Sequence, residues 1–365
     1  MGFDLKGTFN FLKRETRTGG EKRSVGIDIG ASTIKVVEIR ETNGVLTLST
    51  YGELQLGPYL DQPTGATVKL DQEQSTKALV DVIRESGVTA KRGVFSVPLA
   101  SSFLTTIAIT AKDTEDVVKM IPVEARKYIP IPLNEVALDW YEIENQNQAK
   151  DSSTRDVLLA AIQNESLSSF QRLLNSIGMM SQPTEIEVFS AIRATVTEEQ
   201  SSTLIIDLGA SMSKLYLTKG YTLQKLHRVK TGGEQLTKRL SELRNCSFEE
   251  AEHIKRNEAA NPEYARDIKT ALVATMERPL QEFQRVMQLY TRQYNVTFDK
   301  VQLIGGGAQL DHISEYVSET LMLPVVVANP FARVAYPAFM EDVLNELGSS
   351  FSVALGAALR IHLEN

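Results

Sequence analysis

Apolar positions along this chain fall into short runs of period two, interrupted by a few stretches of helical spacing. Val25 to Ile29 and Val36-Val37, on either side of a small polar turn, read as a β-hairpin, and Leu46 to Tyr51 continues as strand. A polar stretch with Pro58, Pro63 and Gly65 follows. Ser75 to Glu85 predicts a helix, with Ala78, Leu79, Val82 and Ile83 on one face and Gly87 as its stop. Gly93 to Val97 is then a buried strand ended by Pro98.

Over 96–178 the pattern has its own character. Ser102 to Thr110, Val136 to Ile143 and Val157 to Ile162 predict strands, while Glu115 to Tyr128 and Glu165 to Ile177 predict helices. Ile129-Pro130-Ile131-Pro132 is a break, and 146–155 is a polar hairpin tip. That β-α-β-β-α order describes a small inserted sheet with helices on one face. A second hairpin comes next, from Leu204 to Leu208 and Leu215 to Leu217, before Thr231-Gly232-Gly233 opens a helical region, Glu234 to Tyr294, that is rich in charged residues. Val301 to Ile304 is a strand that meets Gly305-Gly306-Gly307-Ala308 and a helix. Phe351 to Leu363 is a last helix, whose Ala354, Gly356, Ala357 and Ala358 permit close packing.

Composition narrows the class. The 365 residues suffice for two or three domains, and a net charge of −7 argues against a general nucleic-acid binder. One cysteine, Cys246, allows no internal disulfide and favours a reducing compartment. No run approaches the roughly 18 apolar residues of a membrane span. Residues 1–21 interleave Phe3, Leu5, Phe9, Phe11 and Leu12 with Lys6, Lys13, Arg14 and Arg17. They read either as a loosely ordered leader or as an amphipathic segment resting on an anionic membrane or a partner.

The two hairpins carry nearly the same phrase. Ile27-Asp28-Ile29-Gly30-Ala31-Ser32-Thr33-Ile34-Lys35 is matched, roughly 180 residues on, by Ile206-Asp207-Leu208-Gly209-Ala210-Ser211-Met212-Ser213-Lys214. A period that long indicates two halves of a duplicated domain. Facing tips would give a cleft with a carboxylate and several backbone N–H groups on each wall. Asp28 and Asp207 can hold Mg²⁺ through its waters, because this ion takes one or two carboxylates besides substrate phosphate. Backbone N–H groups across Gly30, Ser32 and Thr33, and across Gly209, Ala210 and Ser211, can cradle phosphate oxygens. Lys35 can follow the first loop back to the phosphates, and Gly232-Gly233 and Gly305-Gly306-Gly307-Ala308 supply further turns and N–H donors. Singly, each is more often an ordinary turn, and Lys35 and Lys214 also fit solvent-facing strand positions. Their conjunction points to nucleotide binding.

In that order, these motifs resemble the superfamily of actin, Hsp70 and sugar-kinase ATPases, over the chain from Lys22 onward. The resemblance implies an α/β, actin-like ATPase fold: two RNase H-like half-domains flanking a nucleotide cleft, binding ATP and Mg²⁺. Asp28 and Lys35 match the first phosphate motif, Asp207 and Gly209 the second, with both aspartates on the metal side. Gly305, Gly306 and Gly307 match the adenosine motif. Glu252, Lys255 and Arg256 match a helix that contacts ribose and flanks adenine, and are equally an ordinary solvated helix face. Glu187 falls where actin-like proteins carry Glu-Pro-x-Ala-Ala, whose acid orients the attacking water. Here Val188 replaces the proline, and a helix-start acid is the plainer reading.

The insertion before Glu187 is similar to that of FtsA and of the PilM family. Glu124 to Pro132, Asp139 and Leu158-Leu159-Ala160-Ala161 resemble the PilM form, as does Phe11-Leu12-Lys13-Arg14 ahead of the first hairpin. FtsA-type chains usually continue into an amphipathic membrane helix after the point where this sequence ends. The divisions implied are a leader at 1–21 and a first half (1A) at 22–95, 179–200 and 335–365. An FtsA-like 1C insertion covers 96–178, a second half (2A) 201–230 and 300–334, and a helical subdomain (2B) 231–299. The implied role is type IV pilus assembly, as an ATP-binding protein at the inner face of the inner membrane. Its partners would be the N-terminal cytoplasmic peptide of PilN and other inner-membrane and motor components of the pilus. Membrane association would run through them, with self-association and slow ATP turnover among the properties to test. Two other readings stay open, an FtsA-like division filament and a sugar or acetate kinase. For the kinase, 96–178 offers no clear acceptor-binding base.

Overall fold

Two sheets of the same topology, one from each half of the chain, organise this computed structural model. It describes residues 22–111, 114–143, 154–181, 184–198, 201–258 and 260–363. The expected leader, 1–21, and most of the expected hairpin tip, 144–153, lie outside the described residues.

In chain order, β1 (Lys22–Ile29), β2 (Thr33–Thr42) and β3 (Val45–Gln55) form an antiparallel meander, followed by helix α1 (Gln72–Glu85) and strand β4 (Arg92–Val97). Helix α1 starts before the expected Ser75 because Asp71 and Gln74 form a capping box, each bonding the other's backbone N–H. The insertion contributes β5 (Ser102–Thr110), α2 (Thr114–Tyr128), β6 (Val136–Ile143), β7 (Thr154–Gln163) and α3 (Asn164–Ser176). Short strands β8 (Met180–Ser181) and β9 (Glu185–Ile186) lead into α4 (Glu187–Thr195). The second half repeats the meander as β10 (Ser202–Leu208), β11 (Ser213–Lys219) and β12 (Thr222–Val229), then runs through α5 (Gly233–Arg244), α6 (Phe248–Asn257) and α7 (Pro262–Tyr294). It closes with β13 (Val301–Ile304), α8 (Ile313–Leu321), β14 (Val325–Val327), α9 (Glu341–Leu347) and α10 (Ser352–Leu363).

The first sheet is ordered β3-β2-β1-β4-β8, with β9 also on β4, and the second β12-β11-β10-β13-β14. In each, the hairpin pairs are antiparallel and the next pair, β1 with β4 or β10 with β13, is parallel. The internal repeat is thus a repeat of sheet topology. Helix α10 lies against β1 and α4, and its small residues make that approach possible. A side chain on Gly356 would place Cβ 1.9 Å from the Ser190 carbonyl oxygen. Beneath it, the Glu185 carboxylate is fully buried between Arg193 and Arg360, which are also buried. Burial would raise its pKa, but the two guanidinium groups outweigh that and hold it below the usual carboxylate range. Removing one partner of such a pair costs about 3–5 kcal/mol.

In the third sheet, β5-β7-β6, the central strand β7 is buried on both faces. Val157, Leu159 and Ala161 of β7 meet Val117, Ile121 and Ala125 of α2. Leu158, Ala160 and Ile162 point the other way, into a core shared with Val188 and Phe189 of α4 and with Ile205, Tyr216 and Leu223 of the second sheet. The helices therefore do not share one face, contrary to the sequence expectation, because the unbroken apolar run of β7 has two sides to cover. Helix α3 instead reaches the first sheet, where Leu173 and Leu174 join Val25 and Phe95. The Phe170 ring stacks on Phe95 at 4.6 Å.

Candidate functional site

Both hairpins place their aspartate opposite their lysine. Asp28 pairs in register with Lys35, and Asp207 with Lys214, so each acid and base project from the same face of their sheet near a polar tip. The tips are tight turns closed by Gly30 N–H to Thr33 carbonyl, 2.8 Å, and Gly209 N–H to Met212 carbonyl, 3.0 Å. Among the described residues the N–H groups of Ala31, Ser32, Ala210 and Ser211 donate to no protein acceptor. They remain open for an external anion, as a phosphate cradle requires.

A charge cluster lies between the tips. Glu187, the first residue of α4, accepts from the Leu99 N–H through Oε1 at 2.7 Å and from Lys214 Nζ through Oε2 at 2.7 Å. Lys214 Nζ also donates to Asp207 Oδ2 at 3.0 Å, and the Tyr216 hydroxyl donates to the same oxygen at 3.0 Å. This group is almost wholly inside the protein, with Asp207 6% and Lys214 9% exposed. Burial alone would lower the Lys214 pKa, but Asp207 and Glu187 hold the ammonium well above its usual range. Burial and the same two carboxylates push the Tyr216 phenol up as well.

Asp28 faces this cluster without joining it. Its side chain makes no hydrogen bond or ion pair among the described residues. Burial, together with the charge of Glu187, raises its pKa to about 7, against the opposing influence of Lys35 and Lys214. Lys35 turns away, donating to Thr33 Oγ1 at 2.7 Å and standing 3.6 Å from Glu53. Ser96, in register beside Asp28 on β4, has a buried hydroxyl with no partner. An unpaired, uneasily ionised carboxylate beside an orphaned hydroxyl is what a hydrated cation would satisfy. No group of three or more metal-ligating side chains forms a ready cage among the described residues. The residues therefore fit a metal that arrives with its own waters and a phosphate.

The glycine motifs brace the second wall. Gly305 has φ +84°, and a Cβ there would lie 2.6 Å from the Leu208 carbonyl and 2.7 Å from Asp207 Oδ1. Gly307 presses as closely on Leu208, while Gly306 borders open space and Ala308 is buried in the core. The expected helix after this turn begins as a 3₁₀ turn over Gly306–Gln309, and α8 follows. Gly232 packs against the carbonyls of Gly209 and Ala210. The N–H groups of Gly233 and Glu234 bond those same two carbonyls at 3.0 and 2.9 Å. Gly232 and Gly233 thus spend their donors on holding the second tip, since the Gly232 N–H goes to Gln235.

Glu252 is 3% exposed and accepts from Thr237, Lys255 and Arg256. Burial would raise its pKa, but Lys255 leads the groups that hold it below the usual range. Lys255 also reaches the Gly233 carbonyl at 3.4 Å, which ties α6 to the second tip. Across from it, the backbone at Gly65 sits directly on the Glu252 carboxylate, and Thr67 donates to Glu234 at 2.6 Å. The loop from Gly57 to Leu70 therefore clasps the first half to the second. Sequence reasoning missed this clasp and Tyr216, and the solvent-facing position that Lys214 also fitted gives way to burial, because its ammonium pairs with Glu187 and Asp207. One signal was available: Lys214 follows its aspartate at the same interval as Lys35.

With this geometry in hand, comparison with known proteins places the fold. The chain is similar to a solved PilM-PilN type IV pilus biogenesis complex, 22% identical, with a TM-score of 0.78 over 97% of this chain and 100% of that one. It is also similar to the ethanolamine utilization protein EutJ from Carboxydothermus hydrogenoformans (15% identity, TM-score 0.56, 94% and 91% covered). A third likeness is to MreB 5 of Spiroplasma citri bound to AMPPNP (11%, 0.51, 92% and 94%). These similarities show the α/β, actin-like ATPase fold that the hairpin motifs implied. A family model described as Type IV pilus assembly protein PilM matches residues 26–362, nearly everything the structure describes. The twin hairpins, the insertion between them and that match together assign the chain: it belongs to the type IV pilus assembly protein PilM family.

Proposed function

We propose that this protein binds ATP, with Mg²⁺, between its two hairpin tips, and that the nucleotide-bound form serves type IV pilus assembly as a docking component. The observation that carries the reading is the pair of matched Asp–Lys registers whose tips keep open N–H groups around one charge cluster. On it, Asp28 approaches the metal through water, the tips of 30–33 and 209–211 cradle phosphate, and Gly305 to Ala308 with Glu252, Lys255 and Arg256 border the nucleoside. When bound, the metal supplies charge neutralisation to the phosphates. Calorimetric titration with Mg-ATP tests it: saturable binding is expected, weakened a few-fold by Asp28→Ala. No binding to the unaltered protein would end the reading.

The partner we propose is the N-terminal cytoplasmic peptide of PilN, which would hold the protein at the inner face of the inner membrane beside other pilus components. Support comes from family membership and from likeness to a structure described as a PilM-PilN complex. A hollow of about 750 Å³ on the insertion, lined by Arg126, the Ile129-to-Pro132 segment, Leu133 and Asn134, offers a mixed apolar and polar surface for an extended peptide. Fluorescence anisotropy with that peptide is expected to show binding that Ile131→Asp weakens. A peptide that fails to bind at any concentration would remove this partner.

A further inference from the structure

The second hairpin has an unexpected occupant of the place where charge must be balanced. Lys214 comes from the second half, on β11, and its Glu187 partner from the start of α4. Two of its three N–H donors are engaged, and the third has no partner among the described residues. Both oxygens of Glu187 are bonded, one to a backbone N–H and one to the ammonium. Asp207 Oδ2 takes two donors, and its Oδ1 lies against the Gly305 backbone. A carboxylate held this way is a poor base, because the ammonium stabilises its ionised form and fixes its oxygens. Of the three carboxylates here, Asp28 is the one with no bond among the described residues.

We propose that Lys214 is a resident counter-ion, which balances Glu187 and Asp207 in place of a metal and so keeps both from positioning a hydrolytic water. Its free N–H would then meet a phosphate oxygen, which makes it a positioning and binding residue of the second wall. The inference rests on the ATP-binding reading above and deepens it: the cleft retains nucleoside triphosphate and turns it over slowly by construction. Two consequences are measurable. First, ATP affinity depends weakly on Mg²⁺ while the lysine is present, since one positive charge is already built in. Second, removal of the lysine releases two carboxylates beside the phosphates, which raises the demand for Mg²⁺ and frees Glu187 to orient water.

The experiment measures ATP affinity with Mg²⁺ and with EDTA, and the rate of phosphate release, for the full chain and for Lys214→Met, Lys214→Gln and Lys214→Arg. In the unaltered protein, EDTA is expected to weaken binding less than about tenfold. In Lys214→Met and Lys214→Gln, that ratio is expected to grow at least about tenfold and Mg²⁺-dependent phosphate release to accelerate at least about tenfold. Lys214→Arg should stay near the unaltered protein, because a guanidinium can bond both carboxylates. A purely structural lysine would leave the Mg²⁺ ratio unmoved, and that result overturns the proposal. So does a loss of ATP affinity above about a hundredfold when EDTA is added to the unaltered protein, which needs no variant to fold. Should the unaltered protein bind no ATP at all, the nucleotide reading falls first and this inference with it.

Discussion

The two hairpin tips carry the same acid and base in the same register, yet their side chains end in opposite arrangements. At the first tip Lys35 leans towards Thr33 and Glu53 and leaves Asp28 unbonded. At the second, Lys214 is locked between Asp207 and Glu187. The third strand of each meander accounts for the difference. Lys35 faces Glu53 on β3, an opposite charge that draws it aside, whereas Lys214 faces Arg228 on β12, a like charge that does not. Arg228 itself donates to the carbonyl of Leu99, the residue whose N–H holds Glu187. A duplicated motif can therefore keep its residues and exchange their work, according to what the neighbouring strand offers.

The largest expected effect comes from testing whether the second wall is the rigid one. Gly305→Val would push a side chain into the Leu208 carbonyl at a left-handed φ, so a loss of several kcal/mol and of ATP binding is expected, roughly the upper range for backbone strain. Gly30→Ala at the first tip meets the Thr33 carbonyl only at 3.3 Å and should cost about 1 kcal/mol or less. Urea denaturation of both variants would show it, and equal costs would contradict the contrast.

An intermediate effect concerns Asp28. Its folded pKa of about 7 lies above the value of about 3.9 expected when unfolded, so the folded state binds the proton more tightly. Ionisation therefore costs stability progressively from about pH 4 to pH 7, with the full penalty present above that. Asp28→Asn should raise the ligand-free melting temperature by a few degrees at about pH 8 and hardly at about pH 4.5. A gain that does not grow with pH would show that Asp28 is not the strained acid of the cleft.

The smallest effect sharpens the explanation by neighbouring strands. Glu53→Gln removes a partly exposed ion pair, which should change stability by less than about 1 kcal/mol. It also leaves Lys35 to Asp28 and to phosphate, so ATP affinity should rise a few-fold. Unchanged affinity would mean that Glu53 does not hold Lys35 aside.

Much of this arrangement was legible in the sequence because it is local. Period-two apolar runs broken by small residues marked both hairpins, and the Gly305-Gly306-Gly307-Ala308 phrase marked the turn that braces the second tip. Small residues in α10 announced a close approach, and the structure puts α4 against them. What escaped was non-local. The pairing of Lys214 with Glu187 depends on bringing α4 beneath β11, and the clasp of Gly65 on Glu252 joins residues far apart in the chain. Strand β12 alternates too weakly to announce itself, since Gln224, Lys225, His227 and Arg228 dilute its apolar positions. Strand β14 is only Val325–Val327, too short for a period to register. The two-sided burial of β7 was written in its unbroken Val157-to-Ile162 run, but which element covers each side is a property of the whole fold.

The most direct measurement is an anomalous-scattering map of the protein crystallised with ATP and Mn²⁺. The expected result is a metal peak on the Asp28 side of the triphosphate, with Lys214 still bonded to Glu187 and Asp207. A peak bound to Asp207 with Lys214 displaced, or nucleotide density anywhere but between the two hairpin tips, would contradict the division of work between the walls.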